Sequence, residues 1–220
     1  MGLAYNITDL IDQREFDHIQ HFKQCIFCIP PHKKILVETE HFYVTYDACA
    51  LLEGHVEIHT KDHIGCAGEI DPEYIEEFAQ LKTDIGSLIT DMYGQVSFYE
   101  HGRAGQCSIV QDDINCHHFH MHALPLEVDI SSDIRGENVV EPILMQKDQE
   151  ILDLYQQYDQ YLFFQNKDGQ RYFYPILGSI PSHYLRTVIA EAIGHPERAD
   201  WEHYFDLDAI NNFKKKLAAR

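Results

Sequence analysis

The chain has 220 residues, 45% of them hydrophobic, enough to bury one substantial core with room for an added subdomain. Its formal net charge of −19 repels a phosphate backbone and its longest basic run is Lys214-Lys215-Lys216, so duplex nucleic acid is not an expected partner. The sequence has no run of about 18 apolar residues and no apolar leader behind a basic flank, so neither a membrane anchor nor export is expected, and the cytoplasm is the expected compartment.

Residues 1–24 carry Ile7, Leu10, Ile11, Phe16, Ile19 and Phe22 among charges, the pattern of a leading helix laid over a core. Cys25-Ile26-Phe27-Cys28 and two prolines break that pattern, and the main domain is expected to begin there. Two strands are expected at 42–46 and 55–59; in the second, His55 and His59 face away from Val56 and Ile58. Asp71-Pro72-Glu73 opens a helix, with Asp71 as its capping carboxylate, whose apolar stripe from Ile75 to Met92 ends at Gly94. Further strands are expected at 96–99 and 118–124, separated by a glycine-containing loop. Residues 126–147 read as a surface crossing, 148–160 as a helix, and 161–165 with 172–176 as a hairpin around Asn166-Lys167-Asp168-Gly169. Pro181-Ser182 caps a last helix that Gly194 and Pro196 close. The whole reads as α+β: a helical lead over 1–24, a main domain over 25–147, and a helical and hairpin extension over 148–220 packed on it.

The densest chemical signal is His118-Phe119-His120-Met121-His122-Ala123-Leu124. On a strand, alternate side chains share a face, so three imidazoles line up at about 6–7 Å intervals while Phe119, Met121 and Ala123 enter the core. A neutral imidazole is a fair nucleophile at pH 7, and neighbouring rings can donate hydrogen bonds to phosphate oxygens. A histidine-rich strand that faces water or collects metal would show the same composition. Six cysteines, in a chain too large to need stapling, read as thiols or metal ligands rather than a disulfide framework.

The segment His118–Leu124 resembles the signature of the histidine triad (HIT) superfamily, in which His-X-His-X-His precedes two hydrophobic residues. Asp47, Gly54-His55-Val56-Glu57-Ile58-His59 and Lys61-Asp62-His63-Ile64 resemble that family's ribose-contacting acid, Gly-His strand and Lys-X-His-Ile run. Order and spacing agree over about residues 25–126. The resemblance implies a HIT-like fold, an antiparallel sheet with packed helices, and a covalent nucleotidyl-histidine formed on His120. It implies that His122 contacts the phosphate or leaving group, that His118 completes the triad, and that His55 sits against the nucleophile. Phe27, Asp47, Gly105, Asn115 and His122 are then the residues expected on the nucleotide, with Asp47 accepting from the ribose hydroxyls. Phe98-Tyr99-Glu100-His101-Gly102 is similar to a Phe-Glu-His-Gly segment of some members. The chain departs from the family at Asp112-Asp113-Ile114-Asn115-Cys116, which puts two acids where small residues usually line the phosphate.

Cys25-X-X-Cys28 brings two thiolates together, and a tetrahedral site needs two further ligands, for which His63 and His118 are candidates. In zinc-containing members the corresponding cysteines and histidines hold the metal, so the resemblance implies a structural Zn²⁺ that leaves His120 free. Two partly buried free cysteines would explain the same motif, and Cys107 and Cys116 could instead join His117. Cys49 and Cys66 read as core.

In the extension, Ser182, His183 and Arg186 stand at a helix N-terminus that could receive an anion. The leading expectation is an enzyme acting on the α-phosphate of a nucleotide conjugate, a hydrolase in preference to a transferase because His122 stands where the uridylyltransferase branch commonly has glutamine. The alternative is a nucleotide-binding or scaffold protein without turnover. Repair of adenylated DNA ends is disfavoured by the acidic charge. Many HIT domains form two-fold dimers, so a homodimer is expected.

Overall fold

The computed structural model describes Cys25, Phe27, Cys28 and residues 32–105 and 117–220. The expected leading helix at 1–24, and Cys107, Asn115 and Cys116, lie outside the described residues.

Among the described residues eight strands make one sheet: β1 (Ile35–Glu38), β2 (Phe42–Tyr46), β3 (Val56–Thr60), β4 (Ser97–Gly102), β5 (His120–Leu124), β6 (Ile143–Met145), β7 (Tyr161–Gln165) and β8 (Arg171–Pro175). Their order is β1-β2-β3-β5-β4-β7-β8-β6, and every pairing is antiparallel. Among the described residues four helices accompany it, α1 (Ile75–Tyr93), α2 (Glu150–Tyr158), α3 (Tyr184–Ala192) and α4 (Leu207–Ala218). The expected mixed α and β composition around an antiparallel sheet is what the chain adopts.

Strand alternation divides the side chains between two cores. Phe42, Val44, Val56, Ile58, Phe119, Met121 and Ala123 pack with the α1 stripe Ile75, Phe78, Leu81, Ile85 and Leu88 on one face. Across the sheet, Tyr99, Leu124, Leu162, Phe164 and Tyr174 pack under Leu185 and Ile189 of α3. β7 is buried on both sides, sending Tyr161 and Phe163 to the first core and Leu162 and Phe164 to the second. Each such side chain contributes about 1.5–3 kcal/mol of transfer free energy, so a continuous apolar run suits this position better than alternation. Through the β4–β7 pairing, Phe98↔Gln165 to Gly102↔Tyr161, the C-terminal hairpin extends the sheet itself.

The boundaries differ from expectation in instructive places. α1 ends at Gly94 in the left-handed region at φ 88°, as a glycine permits. It begins at Ile75, and Asp71 does not cap it; Asp71 Oδ1 instead accepts the Glu73 N–H at 2.9 Å in the preceding turn. β1, β6 and α4 were not anticipated. β6 is a three-residue edge strand inside the supposed surface crossing, too short for periodicity to register. α4 starts with Asp206 accepting the Ala209 N–H at 2.9 Å and buries Ile210, Phe213 and Leu217. No described helix is long and apolar enough to cross a membrane.

Candidate functional site

The sheet face opposite α1 becomes polar over its first strands. β2 presents Tyr43 and Thr45 there, and β3 continues from His55 through Glu57 to His59. The register sets His59 beside His120, and Glu57 and Tyr99 on either side of His122. His118, just before β5, ends the row at the side of His63.

The hydrogen bonds assign the ring tautomers. His120 Nδ1 lies 2.7 Å from the His118 carbonyl, which can only accept, so Nδ1 carries the proton and the Nε2 lone pair is free. Leu51 N–H donates to His55 Nδ1 at 3.1 Å, which places the proton of neutral His55 on Nε2. That Nε2–H reaches His122 Nδ1 at 3.0 Å, so neutral His122 keeps its proton on its own Nε2. Burial holds His55 down at about 4 and His122 well below the usual histidine range, so both stay neutral. Tyr99 stacks on His122 at 4.1 Å and 8°. One ring is thus able to offer its lone pair to an electrophile and its neighbour to donate a hydrogen bond.

Asp47 lies beneath this pair and is 5% exposed. Its Oδ1 accepts the Cys49 N–H at 2.7 Å, and its Oδ2 is 3.1 Å from His55 Nδ1 and 3.5 Å from Arg186 Nη1. Burial alone would raise this carboxyl, but His55, Arg186 and the Cys49 N–H outweigh it and hold the group below the carboxylate range. The acid expected on a ribose is thus buried, with its Oδ2 in no hydrogen bond among the described residues. Arg186, expected at an anion-receiving helix end, turns inward onto Asp47 and also donates to the Cys49 carbonyl. Ser182 Oγ is 2.6 Å from His183 Nδ1, and His183 rather than Ser182 occupies the N-cap of α3, at φ 55° and 5.2 Å from the Trp201 ring.

Two residues outside the expected set belong to the face. Glu57 Oε1 is 3.5 Å from His122 Nδ1 and its Oε2 is 3.5 Å from His59 Nε2; burial, then the Asp47 charge, pushes its carboxyl up to about 8. His59 is fully buried, held by Thr45 Oγ1 at 2.9 Å, with its Nδ1 unpartnered among the described residues. Their signal was already in Gly54–His59, where alternation places Glu57 on the same side as His55 and His59. Phe27 closes a column of rings, stacking on His59 at 4.9 Å and on His120 at 5.3 Å, while Tyr43 stacks on His59 at 4.7 Å and donates its hydroxyl to the Phe27 carbonyl. Gly105 takes φ 84° beside Pro181, where a Cβ would stand 3.0 Å from the Pro181 carbonyl oxygen.

Cys25, Cys28, His63 and His118 form a second cluster whose donor atoms all lie within 4.8 Å of one another, and it could hold a metal ion. Cys28 Sγ is 3.3 Å from His63 Nδ1, Cys25 Sγ is 3.5 Å from His118 Nδ1, and the two Nδ1 atoms are 3.3 Å apart. Tetrahedral bonds of the usual zinc lengths separate such donors by about 3.3–3.8 Å, so the set matches a four-coordinate ion. His118 Nε2–H donates to the Thr60 carbonyl at 2.9 Å, which leaves Nδ1 as the ligating atom and orients the ring. Burial, with Cys25 adjacent, pushes the Cys28 thiol up to about 11, so a bound cation is what would make it a thiolate at neutral pH. Cys49 and Cys66 are buried, as core residues should be.

A cavity of about 360 Å³ lies elsewhere, between α1, β4 and β7. Its charges answer one another, Lys82 and Arg171 meeting Asp148 at 2.5 and 3.1 Å, and it shares no residue with the histidine face.

No protein-family model matches the chain, and a search of curated sequences finds no match. Solved structures do resemble it. A HIT family protein from Bacillus anthracis is 22% identical over 48% of this chain and 74% of that one, with a TM-score of 0.37. A hypothetical histidine triad nucleotide-binding protein from Sulfolobus tokodaii is 17% identical over 83% of this chain and 100% of that one, at 0.36. Yeast Ap4A phosphorylase Apa2 is 10% identical over 81% of this chain and 79% of that one, at 0.46.

Proposed function

We propose that this chain is a histidine triad superfamily protein that cleaves or transfers a nucleoside monophosphate through a covalent intermediate on His120. The observation that carries the reading is the 2.7 Å bond from His120 Nδ1–H to the His118 carbonyl, which in the neutral ring leaves the Nε2 lone pair free. In the proposed reaction that lone pair forms an N–P bond to the α-phosphorus while the P–O bond to the leaving group breaks. His122 Nε2–H donates to the departing or phosphate oxygen. Water, or in a transferase another acceptor, then attacks phosphorus, the N–P bond breaks and His120 is regenerated. Hydrolysis is favoured, because His122 stands where the resembled transferase branch commonly has glutamine.

Phe27, Gly105 and Asn115 are assigned to the nucleotide side. For Asp47 a role beneath His55 is favoured over ribose contact, because the carboxylate is 5% exposed and faces Arg186 Nη1 at 3.5 Å. Cys25, Cys28, His63 and His118 would hold a structural Zn²⁺, which when bound ties the Cys25–Cys28 segment to the start of β5. One zinc per chain, falling to none in Cys28→Ser, is the expected stoichiometry; an unchanged zinc content in that variant would remove the site.

Incubation with dinucleoside polyphosphates, nucleotide sugars, adenosine phosphosulfate and nucleoside phosphoramidates, quenched in denaturant, tests the reaction. The expected result is a nucleotidyl mass shift on the peptide containing His120, absent from His120→Ala. Absence of turnover on every substrate together with absence of any adduct overturns it. The alternative of nucleotide binding without turnover draws on Phe27, whose ring lies stacked on His120. Nucleotide affinity that survives His120→Ala, beside an inactive wild type, would favour that alternative.

A further inference from the structure

We propose that Arg186, carried by α3 of the C-terminal region, is a positioning residue: by answering the charge of Asp47 it keeps His55 in the tautomer that makes His122 a hydrogen-bond donor towards bound phosphate. The last step rests on the function proposed above; the tautomer assignment does not.

Asp47 is buried against His55, and a carboxylate 3.1 Å from Nδ1 favours a proton on that nitrogen. A proton there would meet the Leu51 N–H, which already points at Nδ1 from 3.1 Å. Two hydrogens cannot share that lone pair. Asp47 must therefore find its positive partner elsewhere, and among the described residues the permanent cation in contact with it is Arg186, with Nη1 at 3.5 Å. The second guanidinium nitrogen donates to the Cys49 carbonyl, so the side chain is fastened on both sides of Asp47. At 4% exposure it is a structural counter-charge with little competition from water.

The consequence passes along a row of rings. With Nδ1 of His55 accepting, its Nε2–H goes to His122 Nδ1 at 3.0 Å, and the remaining His122 proton sits on Nε2. Removing the guanidinium leaves Asp47 with an uncompensated buried charge, for which a proton on His55 Nδ1 is the nearest remedy. If His55 stays neutral, its Nε2 then becomes an acceptor, His122 donates from Nδ1, and a lone pair replaces N–H at His122 Nε2. Phosphate oxygens would meet an acceptor. The other titratable groups facing this pair among the described residues are His120, ring to ring 5.0 Å from His122, His101 nearby, Glu57 at 3.5 Å from His122 Nδ1 and Tyr99 stacked on His122. None of them is a permanent cation. This gives the C-terminal region a defined place in the site, although Arg186 stands 139 positions after Asp47 in the sequence.

The test reads imidazole ring nitrogens directly. Long-range proton–nitrogen spectra of the full-length, nitrogen-15-labelled chain should show both His55 and His122 as neutral Nε2–H tautomers in the wild type. In Arg186→Met, His55 should move to the Nδ1–H or doubly protonated form, AMP should bind about tenfold more weakly, and added guanidinium ion should restore both. The double variant Asp47→Asn with Arg186→Met should keep the wild-type tautomers, because the charge that Arg186 answers is gone. Unchanged tautomers in Arg186→Met, or a double variant as disturbed as the single one, would overturn the proposal. If Arg186→Met alone fails to fold, a folded double variant with wild-type tautomers supports the proposal, and one with altered tautomers or no fold overturns it. Because the spectra need neither substrate nor turnover, a chain without nucleotidyl chemistry but with the expected tautomers would sink the proposed function and leave this inference standing.

Discussion

Glu57→Gln isolates a carboxyl group that the fold keeps protonated. Burial raises Glu57 from 4.5 to about 8, and the nearby Asp47 charge adds to the shift. The folded-state value lies above the unfolded one, so between these limits the folded chain holds a proton that the unfolded chain has released. Stability from this group is complete below the unfolded value and is lost as pH rises through the folded one. At about 1.4 kcal/mol for each unit of displacement, wild type should lose about 2 kcal/mol from this residue between about pH 5.5 and about pH 7.5. Glutamine has nearly the same volume and no such titration. Urea unfolding of both proteins at the two pH values measures the difference of differences, in which His55, His59 and Glu100 titrate alike and cancel. Parallel losses in the two proteins would refute the assignment of Glu57 as a buried neutral acid.

Acid should destabilise the chain through a different set of groups. Burial holds His55 at about 4, His59 at about 3 and His183 at about 4, so below the ordinary histidine value the unfolded state binds protons that the folded state refuses. Stability should fall as pH drops from about 6.5 towards 4, by about 1.4 kcal/mol per pH unit for each ring, and His59→Gln should flatten that limb in acid-unfolding curves by one ring's share. Gly102→Ala builds a Cβ 2.1 Å from the Tyr161 ring, and the overpacking should cost about 1–3 kcal/mol, read as a lowered melting temperature. A strong chelator should lower the melting temperature of wild type and leave Cys28→Ser unmoved; equal shifts in both would mean that the ion sits elsewhere.

The parts of the fold that could be read in advance are those where one residue period dominates. The stripe from Ile75 to Met92 announced α1, and the alternation in His118–Leu124 and Gly54–His59 announced which side chains share a face. β6 escaped because three residues at an edge carry no period, whereas the hairpin of β7 and β8 was expected from its turn residues although β7, buried on both faces, alternates nothing. The start of α1 was misplaced because Asp71 serves the turn before it. At the site, alternation by itself put His118, His120 and His122 on one side, while His55 was expected from the family resemblance. Glu57 lay in plain sight on the same alternation and was not singled out, since only its burial against neighbouring strands makes it unusual.

By itself the sequence determined a row of imidazoles on one strand face, a pair of cysteines close enough to chelate, and the residue types able to complete both groups, because local backbone geometry dictates which side chains point together. Only the tertiary structure decided which ring donates and which accepts. Tautomers are set by the Leu51 N–H, the His118 and Thr60 carbonyls and the Asp47–Arg186 pair, groups brought together by strand pairing and by the docking of α3, and no local pattern along the chain encodes those meetings.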